Sequence, residues 1–433
     1  MDSGVRRNDG QGQVAARDPN HYLPPFMQLT ILPNGLKVAS REMPTLETAA
    51  VGLYAEAGSR HEPARLNGIA HLFEHMVFKG AGGRSAREIS EAIEDVGGDL
   101  NASTERDSTN FMASVLAEHV PLGVELVTDL ILNPHFVEAD LEREKDVVLQ
   151  ELGEARDTPS DIIFDDLWSA AYDDQPLGRS VLGEEASISA VTVEDLHDWR
   201  RGRYRAGSLA LVAAGKVEHE RLVDLARARL AELPAGTLEP SEPARFTGGI
   251  RVGRSAPDQA HLALGFPAPA QLDPDYFAAR MFSDIVGGGM SSRLFQKVRE
   301  DRGLAYSVYS QLHPHADTGL FYVYAATARR ESASAAQLIE EIVAETALTL
   351  TQREVDRVRT QSRAGLLMSM ESPWGQAHYV ARQLSVYGRL VEPAEVIAEL
   401  EAVTLDQVRE AGAKMLAGPR ARATIGFPAV RAA

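Results

Sequence analysis

The sequence predicts an α+β fold made of two homologous domains, each a mainly antiparallel or mixed sheet packed with helices. Three observations predict it. The chain is 433 residues long, more than one hydrophobic core normally serves. A proline-, glycine- and serine-rich stretch, ELPAGTLEPSEPARFTGG at 232–249, follows a good helix and has the composition of an inter-domain linker. On either side of it the same succession of strand-like and helix-like segments runs twice, as a duplicated plan would. The expected boundaries are a polar tail at 1–22, a first domain at 23–236, a linker at 237–248 and a second domain at 249–433.

The first domain opens with alternating LKVASREM and then AAVGLYAEAGS, both strand-like. A helix is expected over GIAHLFEHMVFKG and another over SAREISEAIEDVG. Strand-like LNASTERDSTNFMASVL precedes HVPLGVELVTDLIL, whose apolar residues recur at helical spacing. Charged helices around 138–156 come next. The domain closes on DLHDWRRGRY and SLALVAAG, the latter short and apolar enough to be a buried strand. The second domain repeats this with AHLALGFPAP as strand, DYFAARMFSDIVGGG and SRLFQKVRED as helices, and AYSVYSQLHP with GLFYVYAATAR as a strand pair. SAAQLIEEIVAETAL, TQREVDRVRTQSRAGLLMSM and TLDQVREAGAKML are helical, and ARATIGF is the closing strand. Strands come in adjacent pairs rather than singly between helices, which favours antiparallel or mixed sheets.

Composition narrows the function. Forty-four basic against 62 acidic residues leave a net charge of −18, which repels phosphate backbones and argues against nucleic acid while suiting a basic or cationic ligand. There is no cysteine, so disulfides, thiolate metal sites and a cysteine nucleophile are excluded. No apolar run reaches the roughly 20 residues of a membrane-spanning helix. The first 20 residues lack the apolar core of a signal peptide, so the expected location is cytoplasmic, with a periplasmic one left open.

The chemistry concentrates in His71-Leu-Phe-Glu-His75. Positions i and i+4 share a helix face, so His71 and His75 present two imidazoles at the separation a tetrahedral metal requires. Glu74 lies beside that face and can act as a base without ligating. The bland alternative is a buried helix whose histidines bond to carbonyls. A third ligand is sought in DLEREKDVVLQELGEARD, where Glu144 and Glu151, seven apart, return to nearly one face after two turns. One of them would bind the metal and the other would orient a ligating histidine. Spacing does not choose Glu151 over Glu144 or Glu154. VGGGM at 286–290 is not a phosphate loop, since it lacks the closing Lys-Ser/Thr.

H-x-x-E-H is the inverzincin pattern. Followed about 75 residues later by the glutamate of VVLQE, it resembles the pitrilysin and insulin-degrading-enzyme family, which includes mitochondrial processing peptidase. GIAHLFEHMVFKG, LNASTERDSTNF, PLGRSVLGEEASI and GGGMSSRLFQKVREDRGLAYSVYS each resemble a family block, in the family's order, over about residues 28–427. The match is closest to short, two-domain members of bacterial type. The resemblance implies one zinc ion per chain, held by His71, His75 and Glu151, with Glu74 as general base and Glu144 as the partner that orients a ligand. It implies that Asn101 and Ala102 bind an extended peptide through their backbone, and that Arg299 and Tyr306 clamp the substrate, Tyr306 at the oxyanion and Arg299 at a nearby carbonyl. The segment corresponding to the motif in the second half, roughly Ala278 to Phe282, has no histidine or glutamate.

The family's clamshell is built of four such domains, so a two-domain chain supplies half of it. The resemblance therefore implies a homodimer, or a heterodimer with a zinc-less sister subunit, in which Arg299 and Tyr306 serve the partner's site. The expected activity is a zinc metalloendopeptidase on peptides or unfolded segments in a closed chamber. A presequence-processing subunit and a non-catalytic scaffold of the same fold are the alternatives.

Overall fold

The computed structural model describes residues 27–238, 241–253 and 257–427, so the tail expected at 1–22 lies outside the described residues. The strands are β1 Met27–Ile31, β2 Lys37–Glu42, β3 Thr48–Ala55, β4 Gly80–Ala81, β5 Arg84–Ser85, β6 Asp99–Thr104, β7 Thr109–Leu116 and β8 Leu209–Gly215. In the second half they are β9 Gly249–Val252, β10 Gln259–Ala268, β11 Ala305–Pro314, β12 Gly319–Ala328 and β13 Ala421–Ile425.

Two large sheets result, ordered β1-β2-β8-β3-β7-β6 and β11-β12-β10-β13-β9. Leaving β1 aside, the orders β2-β8-β3-β7-β6 and β9-β13-β10-β12-β11 correspond strand for strand. One pair in each is parallel, β2 with β8 and β9 with β13, and the other pairs are antiparallel. The repeated order of segments in the sequence is therefore a repeated topology, and the sheets are mixed as expected. The strand-like LNASTERDSTNFMASVL is a hairpin, β6 and β7, with β6 at the sheet edge.

Each sheet has two covered faces. β8 is buried throughout: Leu209, Leu211 and Ala213 enter the core of the first half, while Ala210, Val212 and Ala214 face the other way. Those three meet Ala377, Val380, Ala381 and Leu384 of the helix Pro373–Tyr387, which comes from the second half of the sequence. Reciprocally the helix Pro159–Ala171, from the first half, sets Ile163, Leu167 and Trp168 against Ala263, Leu320, Ala421 and Ala423 of the second sheet. The halves thus exchange a helix, which is why SLALVAAG is apolar at consecutive positions rather than alternating.

A polar contact also joins the halves. Arg60, 6 % exposed, bonds bidentately to Asp317 in the β11–β12 turn (3.0 and 2.7 Å) and to Asp107 in the β6–β7 turn (2.9 Å). Asp107 in turn bonds His315 Nδ1 (2.5 Å). Part of the segment expected as linker is fastened: the Ala244 N–H donates to Asp317 (2.7 Å) and the Arg245 N–H to Gln175 (2.7 Å).

One element departs from expectation. SRLFQKVRED, expected as an ordinary helix, contains a π-helical turn at Phe295–Glu300, in which the Asp301 N–H reaches Gln296 O five residues back (2.9 Å). The hydrogen-bond ladder slips by one residue where this turn packs against β11, a tertiary demand that side-chain periodicity does not encode.

Candidate active site

The motif helix, Ile69–Val77, divides its residues by the helical period. Ile69, Leu72, Phe73 and Met76 enter the core, which leaves His71, Glu74 and His75 together on the partly open side. Across from it runs the glutamate helix, Glu138–Asp157, whose buried stripe is Leu141, Glu144, Val148 and Leu152. Packing this stripe brings both Glu144 and Glu151 to the motif helix. Glu154 is exposed and bonded by Gln150 (3.0 Å), so of the three glutamates that spacing left open, packing sets Glu144 and Glu151 beside the histidines.

The Glu151 Oε2 atom lies 3.8 Å from His71 Nε2 and 3.6 Å from His75 Nε2. Each of the three residues offers one ligand atom, and all three atoms lie within 4.8 Å of one another. Two ligands at tetrahedral zinc stand about 3.4 Å apart, so small side-chain adjustments complete the geometry. Burial, with the neighbouring His75 adding to it, lowers the pKa of His71 to about 4, so its ring is neutral at pH 7 with a lone pair to give. The His75 Nδ1–H donates to Glu144 Oε2 (3.1 Å), which fixes the tautomer leaving Nε2 free to ligate. Lone pairs converging on one point with no proton between them fit a small cation; these residues fit zinc.

Glu74 stands beside this cluster. Thr104 Oγ1, at the end of edge strand β6, donates to Glu74 Oε2. Burial raises the Glu74 pKa, the Thr104 bond and His75 oppose the rise, and Glu151 adds to it. Glu74 is thus held by the strand on which a peptide is expected to lie. Asn101 and Ala102 are on that strand, whose exposure alternates along its length. The Ala102 N–H donates to the Asn101 side-chain oxygen (2.8 Å).

Two contributors carry no signal in the sequence beyond lying in the motif blocks. Lys79, one turn past His75, bonds Glu144 Oε1 (2.8 Å) and balances its charge. Thr104 is the second. An i+4 lysine after the motif and a threonine at the strand end were the available clues.

Arg299 and Tyr306 are brought to each other, with the guanidinium 5.0 Å from the Tyr306 ring centre and 4.8 Å from that of Phe295. The π-helical turn presents Arg299, and a bulge between Ala305 and Ser307 in edge strand β11 turns Tyr306 out to 74 % exposure. Among the described residues no hydrogen bond, ion pair or ring contact joins this pair to the His71–His75–Glu151 cluster. Among the described residues that cluster is the one grouping of its kind, and the corresponding helix of the second half, Tyr276–Gly287, carries none.

An inverted His-x-x-Glu-His helix facing a glutamate helix, inside a duplicated α+β fold, defines the class of inverted-motif zinc peptidases. Family models agree: residues 37–185 match Insulinase (Peptidase family M16) and residues 190–362 match the Peptidase M16 inactive domain. The chain belongs to the insulinase family, peptidase family M16. An uncharacterized zinc protease of Mycobacterium leprae is 35% identical over 394 residues, 89% of this chain and 88% of that one. One of Rickettsia felis is 32% identical over 396 residues, covering 91% and 96%. A probable mitochondrial-processing peptidase subunit beta of Arabidopsis thaliana is 34% identical over 413 residues, covering 92% and 78%. The fold matches the crystal structure of a peptidase M16 inactive domain from Pseudomonas fluorescens with a TM-score of 0.86, at 23% identity over 94% of this chain and 100% of that one. Among the described residues no helix is long and apolar enough to cross a membrane.

Proposed function

We propose that this chain is a zinc metalloendopeptidase, with His71, His75 and Glu151 holding one metal ion and Glu74 acting as general base. The observation that carries the proposal is the convergence of those three ligand atoms beside a carboxylate fastened to an edge strand. A bound zinc supplies Lewis acidity, which makes water a better nucleophile and polarises the scissile carbonyl. Glu74, its pKa raised by burial, accepts the proton of the attacking water and returns it to the leaving amine. Glu144 holds His75 in its ligating tautomer, and Lys79 holds Glu144. The outer edge of β6, through Asn101 and Ala102, receives an extended peptide as an added strand.

Arg299 on the π-helical turn and Tyr306 on β11, packed against each other, serve as the clamp in a dimer, each chain lending its pair to the other's zinc site. A homodimer makes use of both pairs, whereas a heterodimer with a zinc-less sister leaves this chain's pair idle. The name of the Arabidopsis relative supports a second reading as a presequence-processing subunit. A scaffold role fits poorly with a complete set of His71, Glu74, His75 and Glu151.

The test is direct. The purified chain is expected to hold about one zinc ion, and Glu74→Gln to keep that metal while losing peptide hydrolysis. Undiminished hydrolysis by the variant would remove Glu74 from its role, and a chain without zinc affinity would remove the metal site.

A further inference from the structure

The motif helix begins without a side-chain cap of its own. Its N-cap is Gly68, at φ 94°, in the left-handed region that glycine tolerates and other residues avoid. A Cβ there would also stand 2.8 Å from Leu182 O and 2.9 Å from Gly183 Cα. The first N–H groups of the helix need acceptors that Gly68 cannot supply.

Glu62, 3 % exposed, supplies them. Its Oε2 accepts from the Gly68 N–H (2.8 Å) and the Asn67 Nδ2 (2.9 Å), and its Oε1 accepts from the Ala70 N–H (2.8 Å). The PLGRSVLGEEASI block, which the catalytic reading leaves unused, completes the knot. Ser180 O accepts from Asn67 Nδ2 (3.0 Å), Ser187 Oγ donates to Asn67 O (2.7 Å), and the Arg179 charge acts on Glu62.

The two histidines are held differently. His75 is oriented through its ring by Glu144, whereas His71 Nδ1 is buried without a hydrogen-bond partner. Among the described residues no side chain fixes the His71 ring through a hydrogen bond at Nδ1, as Glu144 fixes His75, so its placement leans on the backbone beneath it, and the fastened Ala70 N–H belongs to the residue just before it. We infer that Glu62 is a positioning residue for the metal site: by capping the motif helix from outside it sets where His71 meets a zinc ion. The inference rests on the zinc-peptidase reading.

Glutamine is the informative substitution. All three partners of Glu62 are donors, so an amide must turn its own NH2 toward one of them whichever way it flips. Zinc retention is measured by competition with a chromogenic chelator, at a temperature where each protein is folded by circular dichroism. Glu62→Gln is expected to lose zinc about tenfold more readily than wild type. Deuterium exchange at the amides of residues 68–72 should accelerate selectively, and hydrolysis should recover in excess zinc. Glu62→Asp, which keeps the charge but withdraws it by a methylene, should fall between the two and decides the matter if Glu62→Gln does not fold. Wild-type zinc retention in a folded variant would overturn the inference, and so would accelerated exchange spread evenly over the chain. A wild-type chain that binds no zinc sinks the functional reading and this inference with it, whereas zinc held equally by wild type and Glu62→Gln sinks the inference alone.

Discussion

Glu144 is shared between His75 on one oxygen and Lys79 on the other, so it orients the His75 ring while its own charge is balanced. Glu144→Gln can still accept from the imidazole but turns an amide NH2 toward the Lys79 ammonium. Zinc affinity is expected to fall about 10–100-fold, read by chelator competition, with hydrolysis restored by excess metal. An unchanged affinity would show that the bond orients nothing. Thr104→Val removes the donor to Glu74; a bond to a charged acceptor is worth about 1.5–3 kcal/mol, or about ten- to hundredfold in kcat. Thr104→Ser should recover most of that rate, and a loss confined to KM would count against the role. At this scale His71, Glu74 and His75 were legible because their relation is local, one turn of one helix. Glu62 was not legible, because its partners are mostly backbone N–H groups, which every sequence has. Lys79 stood inside the same stretch, but its partner lies 65 residues on and is named by packing alone.

Among the elements, the exchanged helices Pro159–Ala171 and Pro373–Tyr387 and the short strands β1 and β9 do not stand out in the sequence, while the duplicated succession of strand-like and helix-like segments is plain in it. A helix shows in its own periodicity that it must bury a face; which sheet receives that face is settled far away in the chain. The π-helical turn was hidden for a related reason, since the shift of one hydrogen bond leaves composition unchanged. The exchange has a measurable consequence. Leu167→Ala and Leu384→Ala, each emptying a fully buried position, should each cost about 3 kcal/mol. In urea both should move one common transition. Two separate transitions, each variant shifting only that of the half from which its sequence comes, would contradict the interlocking.

For the whole molecule, the Arg60–Asp107–Asp317–His315 contact ties the β6–β7 hairpin of one half to the matching β11–β12 hairpin of the other. Burial works to raise the Asp107 pKa, but the bond to His315, its charge and the Arg60 guanidinium outweigh this and hold it well below the usual range. Asp317 is lowered in the same way: burial opposes, and the bonds from Arg60 and the Ala244 N–H prevail. A carboxylate depressed in the folded state contributes stability that is present above its unfolded pKa, about 3.9, and is lost as pH falls through and below it. Asp107→Asn should therefore lower Tm at pH 7, and the gap from wild type should narrow between pH 5 and pH 3. A gap constant with pH would mean that the charge plays no part.

The exchanged helix also sets the order in which the molecule can be completed on the ribosome. Leu167 and Trp168 are made early, yet the closing strand Ala421–Ile425 that covers them emerges about 250 residues later. At about 5–20 residues per second, that apolar face waits roughly 10–50 s for its cover. Throughout that interval the nascent chain carries His71, His75 and Glu151 but cannot close its architecture, so a chaperone or an early partner has a defined surface to shield.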